Sequence, residues 1–345
     1  MENGCQCCFK AHFKPFLERF PFVFAVSAAQ CLEFLHLRVI HFLREHGEDM
    51  TFRIGMDLGG TKIEGVVLDE NGTQVLRKRV NTEREKGYET VIQNICALYQ
   101  ELRAHVTHCS SIGIGTPGAV SAKTGLMKNS NTLLLNQRNV KADLEQILDI
   151  EVIIENDANC FCLAEAIHGA AKGHAMVFGV ILGTGVGGGL AFDGKLWRGP
   201  QHIAGEWGHH SISPENTGDY SGIPGTVESY LCGPAFEKAY AAEGGQETKA
   251  IEIMKRFRQG EEHATRVFEA YLEHFGRALA NIINILDPSC IVLGGGMSNV
   301  DELYTLGTKA IERYVFNDEL TTPVVRNALG DSAGVIGAAY LVPLQ

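Results

Sequence analysis

Twice in this chain a short apolar strand runs into a glycine turn that carries a threonine and leads out into a second strand. The first instance is Arg53-Ile-Gly-Met-Asp-Leu-Gly-Gly-Thr-Lys62, followed by the run from Glu64 to Leu68. The second is the strand from Ala175 to Leu182, which enters Gly183-Thr-Gly-Val-Gly-Gly-Gly189. Two such hairpins, one per half, constrain the fold to paired α/β units whose glycine turns face one another across a cleft. At the first turn, Gly59 and Gly60 let backbone amides approach an anion with no Cβ in the way, and Thr61 and Lys62 add a hydroxyl and a cation. Asp57, at the end of the strand, suits a Mg²⁺ held through water, because Mg²⁺ takes few carboxylates and keeps much of its hydration shell. The same residues also suit a plain glycine turn between strands, so the rest of the chain has to decide.

A chain of 345 residues, 45% hydrophobic and 21% charged, has room for two ordinary globular domains, each with its own core. Its net charge of −11 argues against nucleic acid as a partner, since a polyanion needs a concentrated basic face. Any anionic ligand must be held locally, by amides, a lysine or a metal. The ten cysteines are scattered and show no paired CxxC spacing. This usage predicts reduced thiols in a cytoplasmic protein.

Residues 1–49 are rich in Phe, His and Cys and lack the strand punctuation that follows. Phe20 to Ala29 mimics a signal peptide, yet Glu18 and Pro21 interrupt the pattern. The run is also shorter than the ~20 residues of a spanning helix, so no membrane partner is expected. Met50 stands just before the first strand, which marks 1–49 as a disordered or non-native extension. From there, Asn71-Gly72 signals a hairpin turn, and Tyr88, Val91, Ile92, Ile95, Leu98, Tyr99 and Leu102 recur at helical spacing, predicting a helix over 88–104. Strands over 111–115 and 152–155 end in Gly115-Thr-Pro-Gly118 and Asn156-Asp-Ala-Asn159, with a helix from Cys160 to His168. A long helix is predicted at about 264–286, stopped by Asp287-Pro288. The strand from Cys290 to Leu293 then meets Gly294-Gly295-Gly296, where glycines suit either a flat ligand such as adenine or a helix-packing turn. In open α/β sheets ligands bind beyond the carboxyl ends of strands, and several motifs here fall at such ends.

With these motifs in order, the chain from about 52 onward resembles the ROK family of sugar kinases and sugar-responsive repressors. Asp57-Leu-Gly-Gly-Thr-Lys62 looks like its first phosphate motif, Gly183 to Gly189 like its second, and Gly294-Gly295-Gly296 like its adenosine motif. Glu155-Asn-Asp-Ala-Asn159 looks like its catalytic segment and Gly205-Glu-Trp-Gly-His209 like its sugar-contacting segment. The run from Ile285-Leu-Asp-Pro288 to Ser298-Asn-Val-Asp301 and the Gly205 to His209 segment look most like bacterial fructokinases of the manno(fructo)kinase type. Ile181 to Gly189 looks equally like N-acetylglucosamine kinases.

The resemblance implies a two-lobed α/β fold of the actin-like, hexokinase-type ATPase class, with ribonuclease H-like lobes and a central cleft. It divides the chain into a small lobe of 50–172 plus 328–345 and a large lobe of 173–327. It also implies ATP and Mg²⁺ as cofactors, a hexose 6-hydroxyl as acceptor, with fructose the first expectation and N-acetylglucosamine or glucose the alternatives, and a possible homodimer. A repressor of this family would carry a helix-turn-helix ahead of the body, and 1–49 lacks a convincing helix pair.

One departure stands out. The family usually follows its histidine with a Cys-x-Cys-Gly-x-x-Gly-Cys-x-Glu element that holds Zn²⁺. Here the run is Asp219-Tyr-Ser-Gly-Ile-Pro-Gly-Thr-Val-Glu228. Ser and Thr are poor zinc ligands, so no zinc is expected, and hydrogen bonds from Asp219 and Ser221 are expected to shape the loop. The roles implied by the resemblance are Asp157 as base, with helix N-capping as its rival reading, and Gly118, Asn131, Asn156, Glu206, His209 and Glu228 around the sugar. Gly59, Gly60, Thr61, Lys62, Gly183, Thr184, Gly185, Gly294, Gly295 and Gly296 line the nucleotide, and Asp57 holds Mg²⁺ through water.

Overall fold

The computed structural model describes residues 51–343 apart from Thr107 and residues 215–221. The expectations for 1–49 and for Asp219 and Ser221 lie outside those residues. The chain opens with a meander of β1 (Arg53–Leu58), β2 (Lys62–Leu68) and β3 (Gln74–Asn81), in which Asp57 stands opposite Glu64 and Lys62 opposite Asn81. The turn between β2 and β3 is fixed by Asp69 Oδ1, which accepts N–H bonds from Asn71 and Thr73 at 2.9 and 2.7 Å. The helix α1 (Tyr88–Arg103) buries the seven residues whose spacing predicted it. β4 (Ser111–Thr116) then pairs parallel to β1. After a small hairpin of β5 (Ala119–Val120) and β6 (Met127–Lys128) and the helix α2 (Val140–Leu148), β7 (Glu151–Asn156) pairs parallel to β4. The sheet order is β3-β2-β1-β4-β7.

The helix α3 (Asp157–Ile167) leads to a second sheet. It comprises β8 (Met176–Leu182), β9 (Val186–Phe192), β10 (Lys195–Leu196), β11 (Cys290–Gly294) and β12 (Val324–Arg326), in the order β10-β9-β8-β11-β12. Each sheet is thus an antiparallel meander extended by two parallel strands beside its first strand. The hairpin repeat visible in the sequence is a repeat of whole sheets.

Between β10 and β11 lie α4 (Glu228–Leu231), α5 (Gly233–Ala242), α6 (Ala250–Arg258) and α7 (Glu262–Leu286). α7 runs close to the predicted bounds and drives Val267, Phe268, Tyr271, Leu272, Phe275 and Leu279 into the largest core cluster. Each such side chain, fully buried, contributes about 1.5–3 kcal/mol of transfer free energy. α8 (Leu306–Glu312) packs on α7.

The last helix, α9 (Ala333–Tyr340), returns to the first sheet. It meets the strands backbone to backbone at two glycines, beside an apolar contact of Val335 and Ala339 with Val66 and Leu68. A Cβ built on Gly55 of β1 would stand 2.3 Å from Ala339 N, and one on Gly113 of β4 would stand 1.8 Å from Ala338 O. The entry to α9 is anchored by Glu165 of α3, which is completely buried and accepts N–H bonds from Ala170 at 2.8 Å and Leu329 at 2.9 Å, with Ala328 alongside. A buried carboxylate is tolerable only when donors surround it in this way.

The cysteines described are free thiols, and burial pushes Cys162 up to about 12 and Cys290 up to about 11, which leaves them unreactive. No helix among the described residues is long and apolar enough to cross a membrane.

Candidate active site

At the β1–β2 turn, Gly59 N donates to Lys62 O at 3.0 Å, closing the loop tightly with Thr61 and Lys62 exposed. At the β8–β9 turn, Gly183 N donates to Gly185 O at 2.9 Å, and Thr184 is exposed. This second turn is tied from outside its sheet: Glu228 Oε2 accepts Val186 N–H at 2.8 Å, and Gly233 N donates to Gly183 O at 2.8 Å.

Packing accounts for most of the motif glycines but not all. A Cβ on Gly185 would meet Glu228 Oε2 at 2.6 Å, one on Gly188 the Trp207 ring at 2.7 Å, and one on Gly189 Asn159 Oδ1 at 2.8 Å. Gly294 is pressed against Phe161, and Gly295 has a φ of 79° with Leu182 O 2.5 Å from its Cβ position. The helix-packing reading therefore accounts for Gly294 and Gly295. Gly183 and Gly296 are different: nothing stands closer than 4.0 Å to a Cβ on the first, and nothing lies within 4 Å on the second. Gly60 meets only the Arg84 guanidinium, at 3.2 Å, and Thr132 Oγ1, at 3.7 Å. Each of the three glycine turns thus holds one glycine that the protein's own packing does not require. Open backbone of this kind is what an approaching phosphate or flat base needs.

Two carboxylates accompany these turns. Asp57 has glycines as close neighbours: Cβ atoms on Gly115 and Gly334 would lie 3.3 Å from its Oδ1 and 3.4 Å from its Oδ2. Burial pushes its carboxyl up to about 7, the charges of Asp157 and Glu64 add to that, and Arg79 opposes it. Glu64, opposite it, pairs with Arg79 at 2.7 Å and with Arg77. Asp57 is thus a carboxylate short of positive charge, which fits a cation site.

Asp157 is the first residue of α3, earlier than the Cys160 start read from the sequence. Asn156 is the reason. Its Oδ1 caps the helix by accepting from Ala158 N at 2.9 Å and Asn159 N at 3.4 Å, and its Nδ2 donates to Gly118 O at 3.3 Å. The capping task weighed for Asp157 belongs to its neighbour. Loss of hydration pushes the Asp157 carboxyl up to about 6 and the charge of Glu206 adds to this, while the Ala158 N–H, 2.8 Å from Oδ1, opposes it. Protein atoms crowd Asp157 although its surface is still open to solvent, so water tempers that shift.

Around Asp157, Gly118 takes a φ of 92° because β6 passes over it, with Lys128 O 2.6 Å from a Cβ there. Asn131 is exposed beside buried Thr132. Glu206 is exposed, and its Oε2 lies 3.9 Å from His209 Nε2. Trp207 between them is buried and donates from Nε1 to Gly187 O at 2.8 Å, which anchors the segment to β9. Glu228 is engaged with the β8–β9 turn, so it links the segment that carries it to that turn.

Sequence reasoning missed several groups. Glu155, nearly buried, pairs with Arg198 and accepts Asn159 Nδ2 at 2.9 Å. That pair ties the end of β7 to the loop after β10, and nothing in the spacing announces it. Gly334 beside Asp57 was likewise invisible. Arg84 was not: the Asn-Gly turn sets a β2–β3 register in which the residues after Asn81 run back alongside the glycine turn.

A model of the ROK family matches residues 53–345. The N-acetyl-D-glucosamine kinase of Photobacterium profundum is 37% identical over 297 residues, covering 83% of this chain and 98% of that protein. Among solved structures, the ROK hexokinase from Thermus thermophilus has a TM-score of 0.77 at 30% identity, covering 84% of this chain and 98% of that one. A ROK family glucokinase from Streptomyces griseus, solved with glucose and AMPPNP, has a TM-score of 0.67 at 29% identity, covering 84% and 99%. The fold is accordingly the mixed α/β, actin-like ATPase type of the ROK hexokinases.

Proposed function

Because this chain belongs to the ROK family and is an ATP-dependent sugar kinase, we propose that its acceptor is the 6-hydroxyl of N-acetylglucosamine. The observation that carries this reading is the likeness to an N-acetylglucosamine kinase along 98% of that relative's length. This alternative is better supported than the fructose expectation, because relatives such as those of Photobacterium profundum and Vibrio cholerae are N-acetyl-D-glucosamine kinases. The run from Ile285 to Asp301 that suggested fructokinases is occupied with α7, β11 and the Gly294 turn, where Ser298 Oγ donates to Gly295 O at 2.7 Å and Asp301 pairs with Arg326. A likeness there concerns the nucleotide side, which leaves the Gly205 to His209 segment as the part of the fructokinase resemblance that bears on the acceptor.

In this reading Asp157 takes the proton of the 6-hydroxyl as its oxygen bonds the γ-phosphorus. The bond from that phosphorus to the β,γ-bridging oxygen breaks and ADP leaves. A group titrating near 6 is ionised at neutral pH yet basic enough to accept a proton as the new bond forms. Asn156 fixes the helix start that aims Asp157, and Asn131, Glu206, His209 and Glu228, with the Gly118 backbone, surround the sugar. Gly59, Gly60, Thr61, Lys62, Gly183, Thr184 and Gly185 receive the phosphates, and the open face of Gly296 receives the adenosine beside Gly294 and Gly295. Asp57 fits a hydrated Mg²⁺, whose charge, when bound, neutralises the β- and γ-phosphates.

The test is ADP release with N-acetylglucosamine, N-acetylmannosamine, glucose, fructose and mannose offered separately with Mg²⁺ and ATP. N-acetylglucosamine is expected to lead in kcat/KM by about tenfold or more, the scale on which a pocket shaped for one substituent discriminates. A lead by fructose or glucose would sink the proposal.

A further inference from the structure

The hairpin register brings to the phosphate turn one cation that the functional reading has not used. Thr82, just past β3, is fastened there: its N–H donates to Thr61 O at 2.9 Å and its hydroxyl to Gly59 O at 2.7 Å. Glu83 then adopts a left-handed backbone with φ 54°, a conformation that costs free energy for any residue with a Cβ. The short turn Arg84–Lys86 follows. Arg84 is thereby laid over Gly60, with Nη1 3.2 Å from where a Cβ would be and Thr132 Oγ1 at 3.7 Å from the same point. Thr132 adjoins Asn131, so the guanidinium lies at the seam between the nucleotide's phosphate turn and the loop assigned to the acceptor.

Exposed arginines commonly pair with a neighbouring acid. Here the adjacent acid, Glu83, is engaged by Lys86 Nζ at 2.7 Å and Asn94 Nδ2 at 3.5 Å. Arg84 has no ion pair or side-chain hydrogen bond among the described residues. It is an exposed cation, brought over an open glycine by the backbone that carries it.

We propose that Arg84 grips the γ-phosphoryl group of the bound nucleotide and accompanies it to the sugar hydroxyl. A guanidinium offers paired N–H donors that match two phosphoryl oxygens, and charge on those oxygens is what the transfer must neutralise. The proposal rests on the ATP-dependent kinase reading but not on the identity of the sugar. No bond changes are added to the transfer already described.

The test is calorimetric titration of Mg²⁺-ADP and Mg²⁺-AMPPNP into the full chain, its Arg84→Ala, Arg84→Gln and Arg84→Lys variants, and Lys86→Ala as a neighbour control, with thermal melts to confirm folding. Arg84→Ala should weaken AMPPNP about tenfold or more while changing ADP less than about twofold, the signature of one lost charge-assisted contact at the third phosphate. Arg84→Lys should recover part of the loss, and Lys86→Ala should show none. Arg84→Gln keeps the test decisive should the alanine variant fail to fold. Equal weakening of both nucleotides, or of neither, would overturn the proposal. Because no sugar is present, the result stands apart from whichever acceptor the enzyme uses.

Discussion

The turn after β1 and the turn after β8 hold the same place in sheets of the same strand order, yet one is held by its own hairpin and the other by helices beyond its sheet. At the first, Thr82 of the same meander supplies two bonds to the Gly59–Thr61 backbone. At the second, Glu228 and Gly233, more than forty residues downstream, hold Val186 and Gly183. The first turn is therefore a local structure that the meander makes by itself. The second closes with its own Gly183–Gly185 bond but is held further by α4 and α5. Its glycines are correspondingly committed to packing against Trp207, Asn159 and Glu228, whereas Gly60 faces only the flexible end of an arginine.

The largest test of this contrast removes the acid that both turns are proposed to serve. Asp157→Asn should lower kcat by about 10²–10⁴-fold while nucleotide affinity, which we propose belongs to the two turns, stays unchanged in titration; a parallel loss of affinity would mean that turns and acid are one unit. The pH dependence follows from the same group. Its folded pKa is raised to about 6 from 3.8, so kcat should fall as pH drops through about 6. For stability the sign is reversed. A raised carboxyl favours the fold in acid, and that contribution is lost as pH rises through about 6. Asp157→Asn should therefore melt above the wild type at pH 8 and show no such advantage near pH 4.

A smaller effect separates the turns directly. Gly188→Ala drives a methyl into Trp207 and Gly205 O and should cost about 1–3 kcal/mol in denaturant unfolding. Gly60→Ala should cost less than about 0.5 kcal/mol and act instead on nucleotide binding. Similar unfolding costs for both would erase the distinction. Between these two in size, Thr82→Val, which removes one clamp, and Glu228→Gln, which removes the charge from the other, should each cost about 1 kcal/mol. Both should raise the KM for ATP, but only Glu228→Gln should also raise the KM for the sugar.

The same contrast explains what was legible in the sequence. The β1–β2–β3 meander, α1 and α7 are periodic segments with local turn chemistry, so Asn71-Gly72, the Tyr88 to Leu102 spacing and Asp287-Pro288 announced them. The start of α3 was read three residues late because the cap lies on Asn156, and two polar residues in succession leave the choice of cap open. The glycine run from Gly183 to Gly189 was read whole as a phosphate loop, although neighbours from α3, the Trp207 segment and α4 require four of its members. Asp57 and Asp157 were visible as residues, while their raised pKa values come first from lost hydration and then from the charges of Asp157 and Glu64 at Asp57 and of Glu206 at Asp157, which only the assembled chain brings together. Arg198 on Glu155 and Gly334 beside Asp57 are contacts across the chain, with no pattern in either partner alone.

The bare contact of α9 on Gly55 and Gly113 has a consequence for how the molecule is made. Translation delivers β1 and β4 early, but the helix that seals their glycine face emerges only after β12, when the whole second sheet has already been synthesised. The half of the protein that is born first is thus the last to be finished. Until α9 arrives, the backbone at Gly55 and Gly113 and the apolar Val66 and Leu68 stay uncovered, an adhesive face of the kind chaperones guard. Slow synthesis across residues 173–332 should therefore endanger the first sheet more than the second.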